Sequence, residues 1–210
     1  MNFHQLRLAV LLLAAGVTLA GCVTVKPKDY TEFRRSRPRS ILVLPPVNES
    51  TDAGASYSVL TTTTRPLAEL GYYVLPVVMT DDMLKQNGVT VPAEMHGVPL
   101  AKLSEVFGAD AVLYITVEKY GSKYMVIASD SIVFARARLV DCRSGVTLWE
   151  GRVQASSGGQ SGLLEALVEQ VVNKLTDQAH VVAAMASYQL LTPPGQGLPK
   201  GPHHPEYGKD

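Results

Sequence analysis

The sequence has few cysteines and no long apolar run. Its only cysteines are Cys22 and Cys142. If the sulfur of Cys22 is used in another covalent bond, a single thiol remains and no intramolecular disulfide can form. The apolar run over residues 8–20 is thirteen residues long, whereas a helix that crosses a bilayer needs roughly 20. We therefore expect packing alone to hold the fold, and we expect no membrane-spanning helix at the amino terminus.

The chain also lacks an excess of either charge. It has 19 basic and 19 acidic residues, so it carries no overall field that would attract nucleic acid. No nucleic-acid partner is expected. The length that remains after a leader is removed suits one domain with a substantial core.

The amino terminus has the features of an export signal. Arg7 precedes the apolar run, and small residues precede Cys22, as in a cleaved signal peptide. The stretch Leu19, Ala20, Gly21, Cys22 resembles the lipobox of bacterial lipoproteins, with the first three residues recognised by the signal peptidase. The resemblance implies cleavage of residues 1–21, a diacylglycerol thioether on Cys22 and acylation, for example with palmitate, of its new amino group. An ordinary secreted protein with a chance cysteine is the alternative.

Such an anchor would fix both the attachment and the location of the protein. One acyl chain binds a membrane reversibly, whereas two or more anchor a protein stably. In lipoproteins of this kind an aspartate after the cysteine favours the inner membrane, and this chain has Val23 there. The resemblance therefore implies the outer membrane, on its periplasmic face.

Composition divides the rest of the chain into three parts. Residues 22–39 hold prolines and charges without periodicity and are predicted to be a flexible tether. Its arginine cluster could contact anionic headgroups, but a solvated linker is the preferred interpretation; the cluster comprises Arg34, Arg35, Arg37 and Arg39. Residues 40–191 are predicted to form one globular domain, and the Pro/Gly-rich residues 192–210 a disordered tail.

Hydrophobic patterns in the middle of the chain predict alternating strands and helices. The apolar run at 40–44 ends at two prolines and indicates a buried strand. Residues 55–70 and 100–107 are typical of helices that end at glycines, and Thr80 is a candidate N-cap for another. A short strand is predicted at 72–76.

Three alternating stretches, 109–120, 132–139 and 146–155, predict an antiparallel meander with a first turn at Gly121 and Ser122. A hairpin loop at 143–145 would place Leu139 opposite Trp149, Arg138 opposite Glu150 and Arg136 opposite Arg152. A slip by two residues, which would pair Arg136 with Glu150, stays open. An amphipathic helix is expected from an N-cap at Ser161. We therefore predict an α/β fold, a sandwich of a mixed, largely antiparallel sheet with helices packed on it.

Candidate chemistry in the sequence is sparse. The glycine-rich stretch 156–162 lacks the ending of a phosphate loop, and Asp81 and Asp82 are explained by helix capping. His96, His203 and His204 do not form a metal-ligand pattern, and Cys142 has no base near it in sequence. We expect no enzyme activity, no cofactor and no metal.

Four phrases carry a resemblance to a known family: ILVLPPVNES at 41–50, RPLAELGYYVLP at 65–76, FGADAVLYITVEKYGSKY at 107–124 and ARLVDCRSGVTLWEGRV at 137–153. Together they resemble the genome-derived Neisseria antigen 1162-like family of bacterial lipoproteins, over roughly residues 22–191. More distantly, they are similar to Tol-type periplasmic domains and curli-secretion lipoproteins. The resemblance implies an α/β sandwich in the periplasm and association with other envelope lipoproteins of the curli-secretion type. It supplies no catalytic residues.

Three functional hypotheses follow. The first is a non-enzymatic adaptor or accessory subunit of an envelope secretion or transport assembly, with edge-strand pairing into a homo-oligomer as a related possibility. The second is a binding module for a small envelope ligand, such as a peptidoglycan fragment or a lipid, that uses tyrosines; they are Tyr72, Tyr73, Tyr114, Tyr120 and Tyr124. The third is a hydrolase, which would need acids, histidines or a metal to converge in one cleft.

Overall fold

A computed structural model describes residues 28–124, 129–157 and 178–209. The lipobox and the predicted helix start at Ser161 lie outside these residues. The helices are α1 (Thr31–Ser36), α2 (Ala55–Glu69), α3 (Val77–Gln86), α4 (Pro92–Met95), α5 (Leu100–Phe107) and α6 (Gln178–Leu191). The strands are β1 (Ser40–Val43), β2 (Val47–Asn48), β3 (Tyr73–Val74), β4 (Ala111–Tyr124), β5 (Ser129–Asp141) and β6 (Thr147–Ser156).

The six strands form one mixed sheet in the order β3-β1-β4-β5-β6, with β2 also paired to β4. β1 runs parallel to β3 and β4, whereas β4, β5 and β6 are an antiparallel meander. β1 stops where Pro45 and Pro46 remove the backbone donors that a central strand needs. The predicted α/β fold is confirmed.

The inner face of the sheet carries the larger apolar cluster. Alternation places every second side chain of the meander on this face, where α2 and α6 cover it. The buried strand residues of this cluster include Ile41, Val43, Leu113, Ile115, Val117, Val133, Leu139 and Trp149. They pack with Val59, Leu60 and Leu67 of α2 and with Val182, Ala186 and Leu190 of α6.

The outer face is covered near β1 and the start of β4. Leu42, Leu44, Val112, Tyr114 and Val140 form a second buried cluster there with helix and loop residues, among them Leu84, Met95 and Leu103. α5 ends at Gly108, whose φ of 67° is the left-handed conformation that a helix C-terminus favours. Farther along β4, β5 and β6, the outer face carries mainly polar side chains.

The hairpin register predicted from the sequence is confirmed. Leu139 lies opposite Trp149, Arg138 opposite Glu150 and Arg136 opposite Arg152, so the alternative slip by two residues does not occur. Oδ1 of Asp141 accepts hydrogen bonds from the backbone N–H groups of residues 143 and 144, at 3.0 and 2.7 Å. This local cap fixes the loop and therefore the register.

The prediction of a disordered tail is wrong for residues 192–209, which we call the C-terminal segment. Leu198 is only 5% exposed, and Trp149 Nε1 donates to the carbonyl oxygen of Gln196 at 2.9 Å. The hydroxyls of Tyr30 and Tyr72 donate to the carbonyl oxygens of Gly197 and Pro199. These aromatic donors give the segment an ordered path, and its prolines reduce the entropy that ordering costs.

Three smaller expectations also differ from the structure. Part of the predicted tether, Thr31–Ser36, is helix α1, because Phe33 packs into the inner cluster. α3 begins at Val77 rather than after a cap at Thr80. Gly121 and Ser122 continue strand β4 opposite Ile132 and Ser131 instead of forming a turn.

Candidate functional site

The proposed lipidation site lies just before the described chain. Cys22, together with Leu19, Ala20 and Gly21, is outside the described residues, which begin at Lys28. Lys28 Nζ lies 4.6 Å from the ring centroid of Trp149 on β6. The chain that leads from Cys22 therefore enters the domain beside the edge strand.

A groove of about 650 Å³ runs along the uncovered part of the outer sheet face; we call it the outer sheet groove. Its walls come from β4, β5 and β6, from the end of α6 and from Pro193 and Gln196, and His96 and Lys28 also line it. The lining side chains on the strands are Tyr114, Thr116, Arg136, Arg138, Glu150 and Arg152. They lie together because positions two apart on a strand share one face.

Arginines dominate the charge of this groove. Arg136 forms ion pairs with Glu118 at 2.6 Å and with Glu49 at 2.9 Å, and the hydrogen bonds to these two carboxylates raise the pKa of Arg136. Arg152 lies directly opposite Arg136 on the neighbouring strand. Across residues 28–124, 129–157 and 178–209, Arg152 takes part in no ion pair. Two like charges facing each other on adjacent strands destabilise the sheet.

An aromatic pair, His96 and Tyr114, lines part of the groove. The guanidinium carbon of Arg138 lies 4.7 Å from the ring centroid of Tyr114, and the imidazole of His96 meets the same ring edge-on at 5.2 Å. His96 Nε2 lies 3.0 Å from the carbonyl oxygen of Pro45, so Nε2 carries a proton and donates it. Burial, and to a smaller extent the charge of Arg138, lowers the pKa of His96. His96 is therefore neutral at pH 7 and lies close to the positive charge of Arg138.

The tyrosines proposed for ligand binding do not share one pocket. Tyr72 and Tyr120 are buried in the inner cluster, whereas Tyr114 belongs to the outer cluster. Tyr73 is 58% exposed on β3, and the side chain of Tyr124 lies outside the description. Only Tyr114 among the placed tyrosines lines the outer sheet groove.

The other sequence candidates occupy structural positions. Asp81 is buried and pairs with Lys85 at 2.6 Å, while its neighbour Asp82 is exposed. Cys142 is 7% exposed, and burial raises the pKa of its thiol to about 11. His203 and His204 lie on the C-terminal segment. Among the described residues, no group of three or more histidine, cysteine, aspartate or glutamate side chains could hold a metal ion. Most of the glycine-rich stretch 156–162 is outside the described residues.

Sequence reasoning missed a serine-histidine contact. Ser58 Oγ on α2 lies 2.7 Å from His180 Nδ1 on α6, and Tyr120 donates its hydroxyl proton to the same Oγ at 2.7 Å. Within the described ranges no carboxylate contacts His180, so the orienting member of a hydrolytic triad is missing there. The contact joins two helices to β4. No sequence signal could have found it, because 122 positions separate Ser58 from His180.

No helix among the described residues is long and apolar enough to cross a membrane.

Comparison with known proteins agrees with the resemblance read from the sequence. Residues 28–203 match the family model described as "Putative lipoprotein GNA1162-like". A relative from Neisseria meningitidis serogroup B, called "Putative lipoprotein NMB1124/NMB1162", is 46% identical over 207 residues, which cover 94% of this chain and 96% of the relative.

A solved structure of a GNA1162 lipoprotein shares the fold. The crystal structure of lipoprotein GNA1162 from Neisseria meningitidis superposes with a TM-score of 0.56 at 47% identity, covering 65% of this chain and 97% of that one. A PelC dodecamer from Paraburkholderia phytofirmans gives a TM-score of 0.47 at 14% identity, covering 79% and 91%. The family model and the 46% identical relative show that the chain belongs to the GNA1162-like family of lipoproteins.

Proposed function

We propose that this lipoprotein is anchored through Cys22 in the outer membrane, facing the periplasm, and acts as a non-enzymatic adaptor in an envelope assembly. Family membership supports lipidation, and the stretch Leu19 to Cys22 supplies a site for it. A diacylglycerol together with an amide-linked acyl chain gives stable attachment. Val23, rather than an aspartate, supports sorting to the outer membrane.

The outer sheet groove is the docking surface in this proposal, and its partner is an acidic surface of another envelope lipoprotein. The observation that carries the proposal is the pair Arg136 and Arg152, which face each other across β5 and β6. Arg136 is already paired with Glu118 and Glu49, whereas Arg152 takes part in no ion pair among the described residues, so its guanidinium can pair with a carboxylate of a partner. Arginine is also the residue best suited to pairing with a carboxylate at an interface.

A non-enzymatic role is supported by the state of the possible nucleophiles. The Cys142 thiol is buried, and its raised pKa keeps it protonated at neutral pH. Ser58 contacts His180, but its oxygen also accepts a hydrogen bond from Tyr120, and the contact lies between packed helices. A surface that recognises a partner fits these features better than a reaction centre does.

The test uses photocrosslinking in intact cells. Gln154 is exposed and lies two positions after Arg152, so both side chains share one face of β6. A photoreactive residue at 154 should yield one discrete adduct with an envelope protein. Arg152→Glu should reduce that adduct about tenfold or more, because one buried charge-assisted contact contributes at least that factor.

Arg152→Glu reverses the charge that lies opposite Arg136. Because Arg136 already pairs with Glu118 and Glu49, the thermal melting of the variant is compared with that of the parent, so that loss of the adduct is separated from unfolding. The matched control is Arg65→Glu on α2, whose side chain is 78% exposed on a different face. Recovery of only lipid and free protein, or an adduct that survives Arg152→Glu, would contradict the docking surface. A crosslink to a second copy would replace the proposed partner with a homo-oligomer.

A further inference from the structure

A second groove lies beside the stretch that leads from α1 into β1. It is formed by the end of α1, the start of β1, the β5–β6 loop and the C-terminal segment, and its volume is about 610 Å³. We call it the anchor-proximal groove. Its lining includes Arg37, Arg39, Arg143, His203 and Tyr207. It shares no lining residue with the outer sheet groove.

The anchor-proximal groove is cationic. As far as the described chain extends, Arg37, Arg39 and Arg143 form no ion pair with a carboxylate. The one carboxylate that lines the groove, that of Asp110, accepts hydrogen bonds from the backbone N–H groups of Arg39 and Ser40, at 2.9 and 3.2 Å. The guanidiniums of Arg37 and Arg143 each make one hydrogen bond to a backbone carbonyl oxygen, which leaves most of their N–H groups for a ligand.

Arg37 is held in a costly backbone conformation at the edge of this groove. Its φ of 49° is the only positive value found for a non-glycine residue in the described ranges. The position follows the last turn of α1, where glycine is the usual residue because a side chain is strained there. Strain of this kind is commonly retained where the side chain has a function.

An apolar pocket adjoins the cationic groove. It has a volume of about 380 Å³, and Phe33, Pro38, Tyr72 and Pro199 contribute to its walls. Arg37 and Tyr207 line both cavities. Three guanidiniums beside an aromatic pocket suit an amphiphile with an anionic head and an apolar body, because arginine donors match phosphate oxygens.

The short connection to Cys22 decides which amphiphile can reach the site. Only residues 23–27 separate Cys22 from Lys28, and fully extended chain spans at most about 3.4 Å per residue, or about 20 Å in total. If Cys22 carries the proposed anchor, the start of the domain stays within about 20 Å of the bilayer. α1 begins three residues after Lys28, and Arg37 directly follows its last residue, so only nine positions along the chain separate Arg37 from Lys28.

We propose that the anchor-proximal groove binds an anionic phospholipid of the membrane that holds the anchor. Its phosphate lies on Arg37, Arg39 and Arg143, and its apolar part enters the neighbouring pocket. This inference rests on the proposed lipid anchor for its location. The arginine cluster and the C-terminal segment, assigned by composition to a linker and a free tail, together build this site.

The test uses the mature chain, residues 22–210, with Cys22→Ser, so that binding does not depend on the anchor. In flotation assays this protein should bind vesicles of phosphatidylcholine with phosphatidylglycerol, and should bind phosphatidylcholine vesicles much more weakly. Arg37→Gly should weaken binding about fivefold, the contribution of one basic residue near a charged bilayer. Because glycine accepts the left-handed conformation, this variant should fold at least as stably as the parent.

Two further variants separate a site from general charge attraction. Arg65→Gln removes an exposed arginine on α2 and should leave binding unchanged. Tyr207→Ser alters the wall common to both cavities without changing charge and should weaken binding. The proposal would be overturned if the protein bound both kinds of vesicle equally, or if Arg37→Gly and Arg65→Gln weakened binding equally. It would also be overturned if inorganic phosphate released the protein from the vesicles as effectively as added phosphatidylglycerol does. Failure here would leave Cys22 lipidation untouched, because that is measured separately.

Discussion

Gly71 and Gly88 share a backbone conformation but differ in their surroundings. Their φ angles are 87° and 84°. A Cβ on Gly71 would lie 2.3 Å from the backbone nitrogen of His204, whereas a Cβ on Gly88 would meet nothing within 4 Å. Gly71 also accepts a hydrogen bond from the backbone N–H of His203 at 3.0 Å. The pair therefore separates the strain of the left-handed conformation from the docking of the C-terminal segment.

We predict that Gly71→Ala destabilises the protein more than Gly88→Ala. The change at Gly88 should cost about 1–2 kcal/mol, the penalty of a side chain in the left-handed region. Gly71→Ala should add the loss of the segment's contacts and cost roughly 3 kcal/mol or more. Urea denaturation measures both values, and trypsin should cut after Lys200 faster only in Gly71→Ala. Equal destabilisation by the two changes would show that the segment does not pack on Gly71.

The imidazole of His96 gives stability a pH dependence of known sign. Its pKa is lowered in the folded protein, chiefly by burial, so at mildly acidic pH the unfolded chain binds more protons than the folded one. Stability is therefore complete above the ordinary histidine pKa of about 6.5 and falls as pH drops from there through the folded pKa.

We predict that His96→Gln makes stability less dependent on pH between 7 and 5. Glutamine can still donate to the carbonyl oxygen of Pro45 but does not titrate. Each unit by which the folded pKa is lowered corresponds to about 1.4 kcal/mol. Urea midpoints at pH 7 and 5 give the slope, and both proteins at pH 8 serve as the control. An unchanged slope in the variant would contradict the assignment.

At the scale of elements, the C-terminal segment acts as part of the core. Gly201 donates its backbone N–H to the carbonyl oxygen of Leu70 at 2.7 Å, and Leu198 is buried in the inner cluster. The segment also supplies the carbonyl acceptors of three aromatic side chains, Tyr30, Tyr72 and Trp149.

We predict that truncation after Leu191 destabilises the domain by roughly 3–5 kcal/mol. Three hydrogen bonds at about 1 kcal/mol each and burial of one leucine at about 2 kcal/mol set this range. Thermal melting and Trp149 fluorescence report the loss, because the indole N–H loses its acceptor at residue 196. A control that removes only residue 210, which lies outside the described chain, should melt like the parent. Unchanged melting of the longer truncation would restore the view of a free tail.

The hairpin and the C-terminal segment show what local sequence can and cannot determine. Residues 139–150 encode their own register, because alternation and the Asp141-capped loop act within a few positions. Residues 192–209 are ordered because they contact tyrosines and a tryptophan that are far away in sequence. The prediction of disorder from their proline and glycine content was therefore wrong. Likewise the charge of Arg152 is visible in the sequence, but the sequence does not show that the carboxylates of Glu49 and Glu118 pair with Arg136 and that no described carboxylate pairs with Arg152.

For the whole molecule, the two proposed surfaces have separate roles. The anchor-proximal groove would bind lipid, while the outer sheet groove, which Lys28 also lines, would bind an envelope partner. Both depend on the domain being tethered by the short stretch between Cys22 and Lys28. Both proposed roles therefore depend on the lipid anchor.

Intact-mass spectrometry of the protein extracted from cell membranes shows whether the anchor is present. We predict a mature chain that begins at Cys22 and carries a diacylglycerol and an amide-linked acyl chain. Cys142→Ser should keep this mass pattern, apart from the substituted atom, whereas Cys22→Ser should abolish both cleavage and lipid. An unmodified Cys22, or a mature amino terminus at any other residue, would contradict the account.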